Sequence, residues 1–370
     1  MTALHIDSAF DSGNIELLGR GEGGAFDLAI RRDRMSDFYQ WFHFRVTGAR
    51  GVPLELRILN AGGSAYAYGW PNYRARVSDD RRDWVQTDTA YADGVLTIRH
   101  TPATDSCWFA YHAPYPIERH HDLIARAAAA PGVQVRTLGR SLDGQAIDAI
   151  ELGDGGPPVW LIARQHPGES MAEWWMEGAI DALIEGSALA RSLRSRVRFH
   201  IVPNMNPDGS VRGHLRTNAA GVNLNRVWHA PNAETEPEVA CVLAHMERTG
   251  VHFAMDVHGD ETIPHLFMAG FEGIPNATPQ QAEGYRRYLE LLGRHSADFQ
   301  TRVGYEIAAP GTGNLTMATN AIAHRFGAVA MTLEMPFKDA LENPDPVRGW
   351  SPARSKALGR ACLSALADWL

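Results

Sequence analysis

The stretch PVWLIARQHPGESMAEWW, residues 158–175, decides how this chain folds. Pro158 to Ala163 is an apolar run of strand length, Pro167-Gly168 is a turn pair, and the residues from Ser170 onward read as a helix. Strand, turn and helix in that order open a parallel α/β unit. The turn carries His166 and Glu169, three residues apart, at the carboxyl end of the strand. Open α/β sheets bind their ligands at that end. A polar turn would explain the pair, and so would a metal site; the other strand ends separate the two readings.

Outward from this unit, apolar runs at 146–152, 197–203, 252–257 and 327–333 read as further strands. Stretches at 170–185, 236–248, 278–298 and 352–369 read as helices, and His121–Ala130 is helix-like up to the stop at Pro131-Gly132. Strands alternating with helices predict an α/β domain with a mostly parallel mixed sheet. Residues 1 to about 115 have another rhythm. Short alternating or aromatic-rich runs, Phe38–Phe44, Pro53–Leu59 and Gly94–Ile98, are separated by turn clusters. This predicts a small antiparallel β-sandwich whose aromatics form its core. The expected organisation is two domains, 1–118 and 119–370, as the length of 370 residues also suggests.

Each strand of the second half delivers polar side chains to the same end. Strand 197–203 is followed by Asn204, Asn206 and Asp208, strand 252–257 by His258, and strand 327–333 by Glu334. Two His and one carboxylate are a common protein set for catalytic zinc, with the fourth position left to water. His166, Glu169 and His258 make up such a set. Water on Zn²⁺ titrates near ~7, and a carboxylate outside the metal shell can take its proton and pass it to a leaving group. Glu334 suits that role. The Gly- and Asn-rich segment from Asn206 to Trp228 reads as a long loop, and such loops in compact domains are often functional. It carries Arg216 and Arg226. An Arg fork can grip a carboxylate, and an Arg beside a metal can steady a developing oxyanion.

Whole-chain composition limits the alternatives. Hydrophobic residues make up 45% and charged residues 21%, enough for a globular protein with a sizeable core. A net charge of −8, from 35 basic and 43 acidic residues, argues against bulk nucleic-acid or anionic-membrane binding. Cys107, Cys241 and Cys362 are odd in number and widely spaced, which fits a reducing compartment. The N-terminal MTALHIDSAFDSGNIE has neither the basic nor the apolar region of a signal peptide, and no apolar run approaches the ~20 residues of a membrane span. The expectation is a cytoplasmic protein with no nucleic-acid and no membrane partner.

Further motifs follow in a fixed order. Tyr39-Gln40-Trp41-Phe42 and Phe109-Ala110-Tyr111 with Pro114-Tyr115-Pro116 stand in the front half. His166-Pro167-Gly168-Glu169-Ser170, Asn206-Pro207-Asp208-Gly209, Gly213-His214-Leu215-Arg216 and Leu224-Asn225-Arg226 come next. Asp256-Val257-His258-Gly259, Gly311-Thr312-Gly313 and Thr332-Leu333-Glu334 close the set. In this order they resemble the motifs of zinc metallocarboxypeptidases of the carboxypeptidase A-like (funnelin, M14) family, and most closely its cytosolic carboxypeptidase branch. The resemblance covers nearly the whole chain. It implies one Zn²⁺ held by His166, Glu169 and His258, with Glu334 as general base and then acid. It implies that Arg216 polarises the scissile carbonyl, that Asn225 and Arg226 grip the terminal carboxylate of a peptide or protein tail, and that Tyr305 lies on the substrate side.

Two departures from the family pattern matter. Asn223 stands where the family usually has an Asp that supports a zinc-ligating His; an amide accepts a hydrogen bond but does not raise ligand basicity as a carboxylate does. Asn314 follows the Gly-Thr-Gly motif where glutamate-trimming relatives often have a basic residue. A charge to meet an acidic side chain would then come from Arg302, His324 or Arg325, and deglutamylation is a hypothesis within the carboxypeptidase reading. The alternative enzyme is a zinc deacylase of aspartoacylase or succinylglutamate desuccinylase type, acting on N-acyl amino acids. The long N-terminal β half and the Asn225-Arg226 motif count against it. A non-catalytic binding protein would lack a ligand or the base, and none is missing. The N-terminal sandwich would either select substrate or join copies into a homo-oligomer.

Overall fold

The computed structural model describes residues 4–370; the first three residues of the N-terminal stretch read above lie outside them. The front half folds into two five-stranded sheets. One runs in the order His5–Asp7, His43–Thr47, Ser106–Ala110, Arg76–Ser78, Val85–Gln86 and is antiparallel throughout. The other runs Glu16–Arg20, Phe26–Ala29, Leu54–Ile58, Val95–His100, Asp88–Ala92, antiparallel except where Phe26–Ala29 pairs in parallel with Leu54–Ile58. Alternation sets the faces: Leu54, Leu56 and Ile58 are buried while Glu55 and Arg57 between them are half-buried. Phe44 stacks on Phe109 at 5.3 Å within the core.

The expected strand over Phe38–Phe44 starts only at His43. The reason lies in Gln40, whose side-chain amide accepts from Tyr66 N (2.8 Å) and donates to Tyr66 O (3.2 Å), doing with a side chain what a ladder would do with backbone. The helix expected from His121 starts at Ile117, because Asp11 Oδ2 accepts from Ile117 N (2.9 Å) and satisfies the helix start from a distance in sequence.

The second half builds a seven-stranded mixed sheet in the order Val133–Arg140, Ala146–Leu152, Arg198–Val202, Pro158–Ala163, Phe253–Asp260, Val329–Pro336, Phe267–Ala269. The four strands from Arg198–Val202 to Val329–Pro336 are parallel, and the flanking ones pair antiparallel. From Pro158–Ala163 the chain continues to Arg198–Val202 on one side and only later reaches Phe253–Asp260 on the other. That makes the carboxyl end of Pro158–Ala163 a topological switch point, where ligand crevices form. The expected segment Asn206–Trp228 is not all loop: it opens with a short helix, Pro207–Arg212, capped by the Asn206 side chain on Gly209 N (3.1 Å) and closed by Gly213 at φ 69°. Helices Ala188–Arg196 and Ala318–Phe326 and strands Val133–Arg140 and Phe267–Ala269 are elements that the periodicity did not single out.

Helix Ser170–Ile184 is buried on nearly every face, packed between the sheet and the C-terminal helix Pro352–Trp369. The two helices cross on glycines. A Cβ on Gly178 would lie 2.2 Å from Lys356 O, and one on Gly359 would lie 2.5 Å from Trp175 O. Backbone cannot yield as a side chain would, so Gly178→Ala should destabilise the protein by about 1–3 kcal/mol through overpacking. The check is a denaturant midpoint, which should fall; an unchanged midpoint would show that the helices can separate without cost.

Candidate metal centre and active site

The turn after Pro158–Ala163 has an unusual backbone. Arg164 is buried and sits at φ 58°, a left-handed conformation disfavoured for a side chain of its size. Its guanidinium holds the turn in shape, donating from Nε to Pro167 O (3.1 Å) and from Nη1 to Tyr115 O (2.8 Å) and Glu173 Oε2 (2.6 Å). Glu173 also accepts from Asn204 Nδ2 (3.0 Å) and pairs with His120 Nδ1 (2.6 Å). Burial disfavours charge on His120, but Asp148 and Glu173 outweigh it and push the imidazole up to about 9. Gly168 N donates to Leu215 O (2.9 Å), and a Cβ there would stand 3.0 Å from that oxygen, so a glycine lets the two loops touch.

This turn aims His166 and Glu169 at one point, where His258 joins them. All three are buried. Glu169 Oε1 lies 2.6 Å from His166 Nδ1, Glu169 Oε2 lies 2.8 Å from His258 Nδ1, and the two Nδ1 atoms are 3.1 Å apart. The outer nitrogens are occupied elsewhere. His166 Nε2 faces Asn223 Oδ1 at 3.1 Å, and that oxygen also accepts from Asn225 N (3.1 Å), which fixes the amide orientation. His258 Nε2 faces Asp256 Oδ2 at 2.8 Å, which accepts in addition from Gln165 Nε2 (2.6 Å). Trp228 Nε1 donates to Gln165 Oε1 (2.8 Å) and holds that amide. With their protons on Nε2, both rings present Nδ1 lone pairs to the shared point.

Electrostatics follow the same geometry. Burial, with the Arg216 charge, holds His166 down to about 4. Burial opposes ionisation of Glu169, but His166 and His258 keep it well below the usual carboxylate range. Burial also opposes charge on His258, and Asp256 and Glu169 override it, favouring a positive charge that a proton supplies at Nδ1 and that a cation bound there would supply in its place. Two imidazole nitrogens and a carboxylate converging in a buried crevice fit a divalent cation of the zinc type.

A second group, Glu151 with His200 and His245, has the same composition but a different character. Arg136 Nε donates to Glu151 Oε2 (2.6 Å), and Arg248 Nη2 donates to His245 Nδ1 (2.8 Å). That leaves the His245 proton on Nε2, pointing at Glu151 Oε1 (2.7 Å). The group is a hydrogen-bonded latch between a helix and the sheet: the nitrogens that face Glu151, His200 Nδ1 (3.1 Å) and His245 Nε2, are paired with its Oε1, and His200 Nε2 on the far side of its ring has no partner.

Around the first centre stand the other residues that the sequence singled out. His258 and Glu334 were expected just beyond their strands; instead the ladder runs on, and they are directly paired inside it, followed by Gly259 with Met335 and Asp260 with Pro336. Burial pushes the Glu334 carboxyl well up, and Glu169, Asp260 and Glu261 add to this against His258. Tyr305, on an exposed loop, donates to Asp260 Oδ2 (2.7 Å) and reaches Glu334 Oε1 (3.2 Å). Arg216 lies 5.4 Å from the Tyr66 ring centre and 5.7 Å from that of Phe38. Burial opposes its charge, but Tyr66, Glu169, Glu261 and Glu334 sustain it. Asn225 Oδ1 accepts from Ala318 N (2.8 Å), and Arg226 Nη1 donates to Asn225 O (2.7 Å).

Asn314 lies apart from His166, Glu169 and His258, at an exposed turn where its Oδ1 accepts from Thr316 N (3.0 Å). With Tyr305, Arg302, Glu272 and Glu306 it lines a cavity of about 670 Å³. Of the three basic residues considered for that cavity, only Arg302 borders it. His324 is bound to Asn276 and Arg325 to Glu247, both away from it. Sequence reasoning missed Phe38, Tyr66 and Glu261 as neighbours of the centre. Tyr66 and Phe38 carried no signal, because they come from the other half of the chain; Glu261 stood in the His258-Gly259-Asp260-Glu261 run.

Residues 120–263 match the zinc carboxypeptidase family (peptidase M14), and residues 6–112 match the cytosolic carboxypeptidase N-terminal domain. A metallo-carboxypeptidase from Burkholderia cenocepacia shares 44% identity, with 99% of each chain covered and a TM-score of 0.97. A metallo-carboxypeptidase from Pseudomonas aeruginosa, solved in complex with (2-guanidinoethylmercapto)succinic acid, shares 43% over 98% of each chain, with a TM-score of 0.95. The chain belongs to the M14 metallocarboxypeptidase family. Its members are hydrolases, and the resemblance read from the motifs stands. An uncharacterised protein of Zymomonas mobilis is 57% identical over 99% of this chain and 97% of its own length. Cytosolic carboxypeptidase 1 of Xenopus laevis is 29% identical over 72% of this chain, which spans only 26% of that relative. The deacylase alternative finds no support in these similarities. No helix among the described residues of this metallocarboxypeptidase is long and apolar enough to cross a membrane.

The His120 pair gives a pH prediction. Its folded pKa, about 9, is raised from 6.5, so its contribution to stability is complete below about pH 6.5 and is lost as pH rises through about 9. The melting temperature should fall across that window, and His120→Gln should flatten the fall. An equal slope in both proteins would remove His120 from the account.

Proposed function

We propose that this metallocarboxypeptidase uses one zinc ion, held by His166, Glu169 and His258, to remove the C-terminal residue from peptides or protein tails. The observation that carries the reading is the convergence of the two Nδ1 atoms and both Glu169 oxygens, with Glu334 paired beside His258 in the neighbouring strand. Zinc bound there would supply a Lewis acid that polarises a carbonyl and makes water nucleophilic at neutral pH.

The chain's own groups divide the remaining work. Glu334 takes the proton of the attacking water and delivers it to the leaving amine, and its burial among carboxylates gives it the basicity for that exchange. Arg216, kept charged, stabilises the oxyanion that develops on the scissile carbonyl. Arg226, with Asn225 fixed by Ala318 N, receives the terminal carboxylate, which restricts cleavage to chain ends. Tyr305 closes the substrate side, and the cavity it shares with Asn314 takes the terminal side chain. Arg302 at that cavity supports acceptance of an acidic side chain, hence deglutamylation, whereas Glu272 and Glu306 favour a neutral or basic one. The ligand of the Pseudomonas relative combines carboxylates with a guanidinium and is compatible with both. The division into a sandwich, 1–118, and a catalytic domain, 119–370, and a cytoplasmic location belong to the same reading.

Three measurements test it. Glu334→Gln should retain zinc while kcat falls by about 10²–10⁴, the usual worth of a general acid–base. His166→Ala and His258→Ala should lose the metal, as read by elemental analysis. A panel of peptides differing only at the last residue, with amidated controls, decides the side-chain preference. Cleavage that survives amidation would end the exopeptidase reading.

A further inference from the structure

The reading of Arg216 as the oxyanion group raises the question of what holds it. Its own loop supplies one bond, between His214 Nδ1 and Thr217 O. The backbone of residues 215–217 is gripped by a buried carboxylate from the front half of the chain, Asp33, which is 2% exposed. Asp33 Oδ1 accepts from Leu215 N (2.7 Å), and Oδ2 accepts from Arg216 N (2.8 Å), Thr217 N (2.9 Å) and Thr217 Oγ1 (3.1 Å). Three consecutive N–H groups and a hydroxyl on one carboxylate form an anion nest whose anion is supplied by the protein itself.

The grip is part of a wider seam. Arg34 N donates to His214 Nε2 (3.0 Å), which leaves the His214 proton on Nδ1 for Thr217 O (2.9 Å). Asn14 Nδ2 donates to Gly213 O (2.9 Å), and Ser12 N to Val211 O (2.9 Å). Contact is so close that a Cβ on Gly213 would stand 2.7 Å from Ser12 O, and one on Gly221 would stand 2.3 Å from Met35 O. Asp33 is itself held in a closed turn, its N–H donating to Phe38 O (2.8 Å). The Phe38 ring and the Tyr66 ring then flank the Arg216 guanidinium. Backbone and side chain of Arg216 are thus both set by the sandwich.

We propose that the N-terminal sandwich is a working part of the active site, in which Asp33 is the positioning residue that sets Arg216 for catalysis, with Phe38 and Tyr66 as the walls of its slot. The proposal rests on the reading of Arg216 above. An oxyanion group gains its effect from being fixed before charge develops, and displacement of about 1 Å can cost ~10²-fold. Asp33→Asn replaces one accepting oxygen with an NH₂ that faces N–H donors.

The test is a double-mutant cycle on the full-length, zinc-loaded enzyme with a peptide substrate. Asp33→Asn should lower kcat by about 10–10²-fold with KM nearly unchanged and zinc content at the wild-type level. Placed on Arg216→Ala, it should cost nothing further, because its effect runs through the group already removed. Losses that multiply would assign Asp33 a purely structural role and overturn the proposal, as would loss of zinc or a wild-type kcat in Asp33→Asn. A wild-type kcat in Arg216→Ala would instead sink the reading of Arg216. Should Asp33→Asn fail to fold, Thr217→Val, which deletes one donor and keeps three, carries the same cycle. A several-fold fall in kcat that vanishes on Arg216→Ala supports the proposal, and no fall, or one that persists, overturns it.

Discussion

Everything near the centre answers one constraint: a buried carboxylate and two imidazole lone pairs must be held within contact distance of one another. Glu169, His166 and His258 meet at 2.6, 2.8 and 3.1 Å. Such a grouping is unfavourable without a compensating cation or proton, because each donor has been taken from water and faces another donor. The protein meets the constraint by binding the far side of each ring. Asn223 fixes one imidazole, Asp256 fixes the other, and Gln165 and Trp228 fix Asp256 in turn. The lone pairs then point inward because no other direction is open to them.

The backbone carries the same demand into the fold. A residue at φ 58° between strand and helix would be costly by itself, and Arg164 is kept there by its hydrogen bonds to Pro167 O, Tyr115 O and Glu173. Removing one partner of a buried pair of this kind typically costs 3–5 kcal/mol, since the other charge is left unmatched. Glu173 lies on the helix that starts at Ser170, and that helix is seated by the glycine crossing with Pro352–Trp369. The position of Glu169 therefore depends on packing along the middle of the helix that follows it as well as on its own turn.

The sandwich belongs to this system and does not merely adjoin it. Its Asp33 organises residues 215–217, Leu215 O receives Gly168 N from the turn that carries His166 and Glu169, and its Phe38 and Tyr66 border Arg216. The seam is mostly hydrogen bonding between side chains of one half and backbone of the other, at close approach, which tolerates little sliding. A hinge between the two halves would have to break these bonds, so a rigid shared crevice is the consequence of the seam.

The sequence by itself determined what depends on local order. His166 and Glu169 share a turn, their spacing follows from Pro167-Gly168, and an apolar run before them and a helix after them require an α/β sheet. The types and order of His258, Arg216, Asn225, Arg226 and Glu334 were enough to name the family. Tertiary structure alone decided what depends on distance in space between residues remote in sequence. It extended the ladder so that His258 and Glu334 became paired neighbours, when the apolar runs ended before them. It took His324 and Arg325 away from the side-chain cavity and left Arg302 at its border. It brought Asp33 to Arg216 across 183 positions, a contact that no periodicity records, because an acceptor and three N–H groups become partners only when two folded surfaces meet.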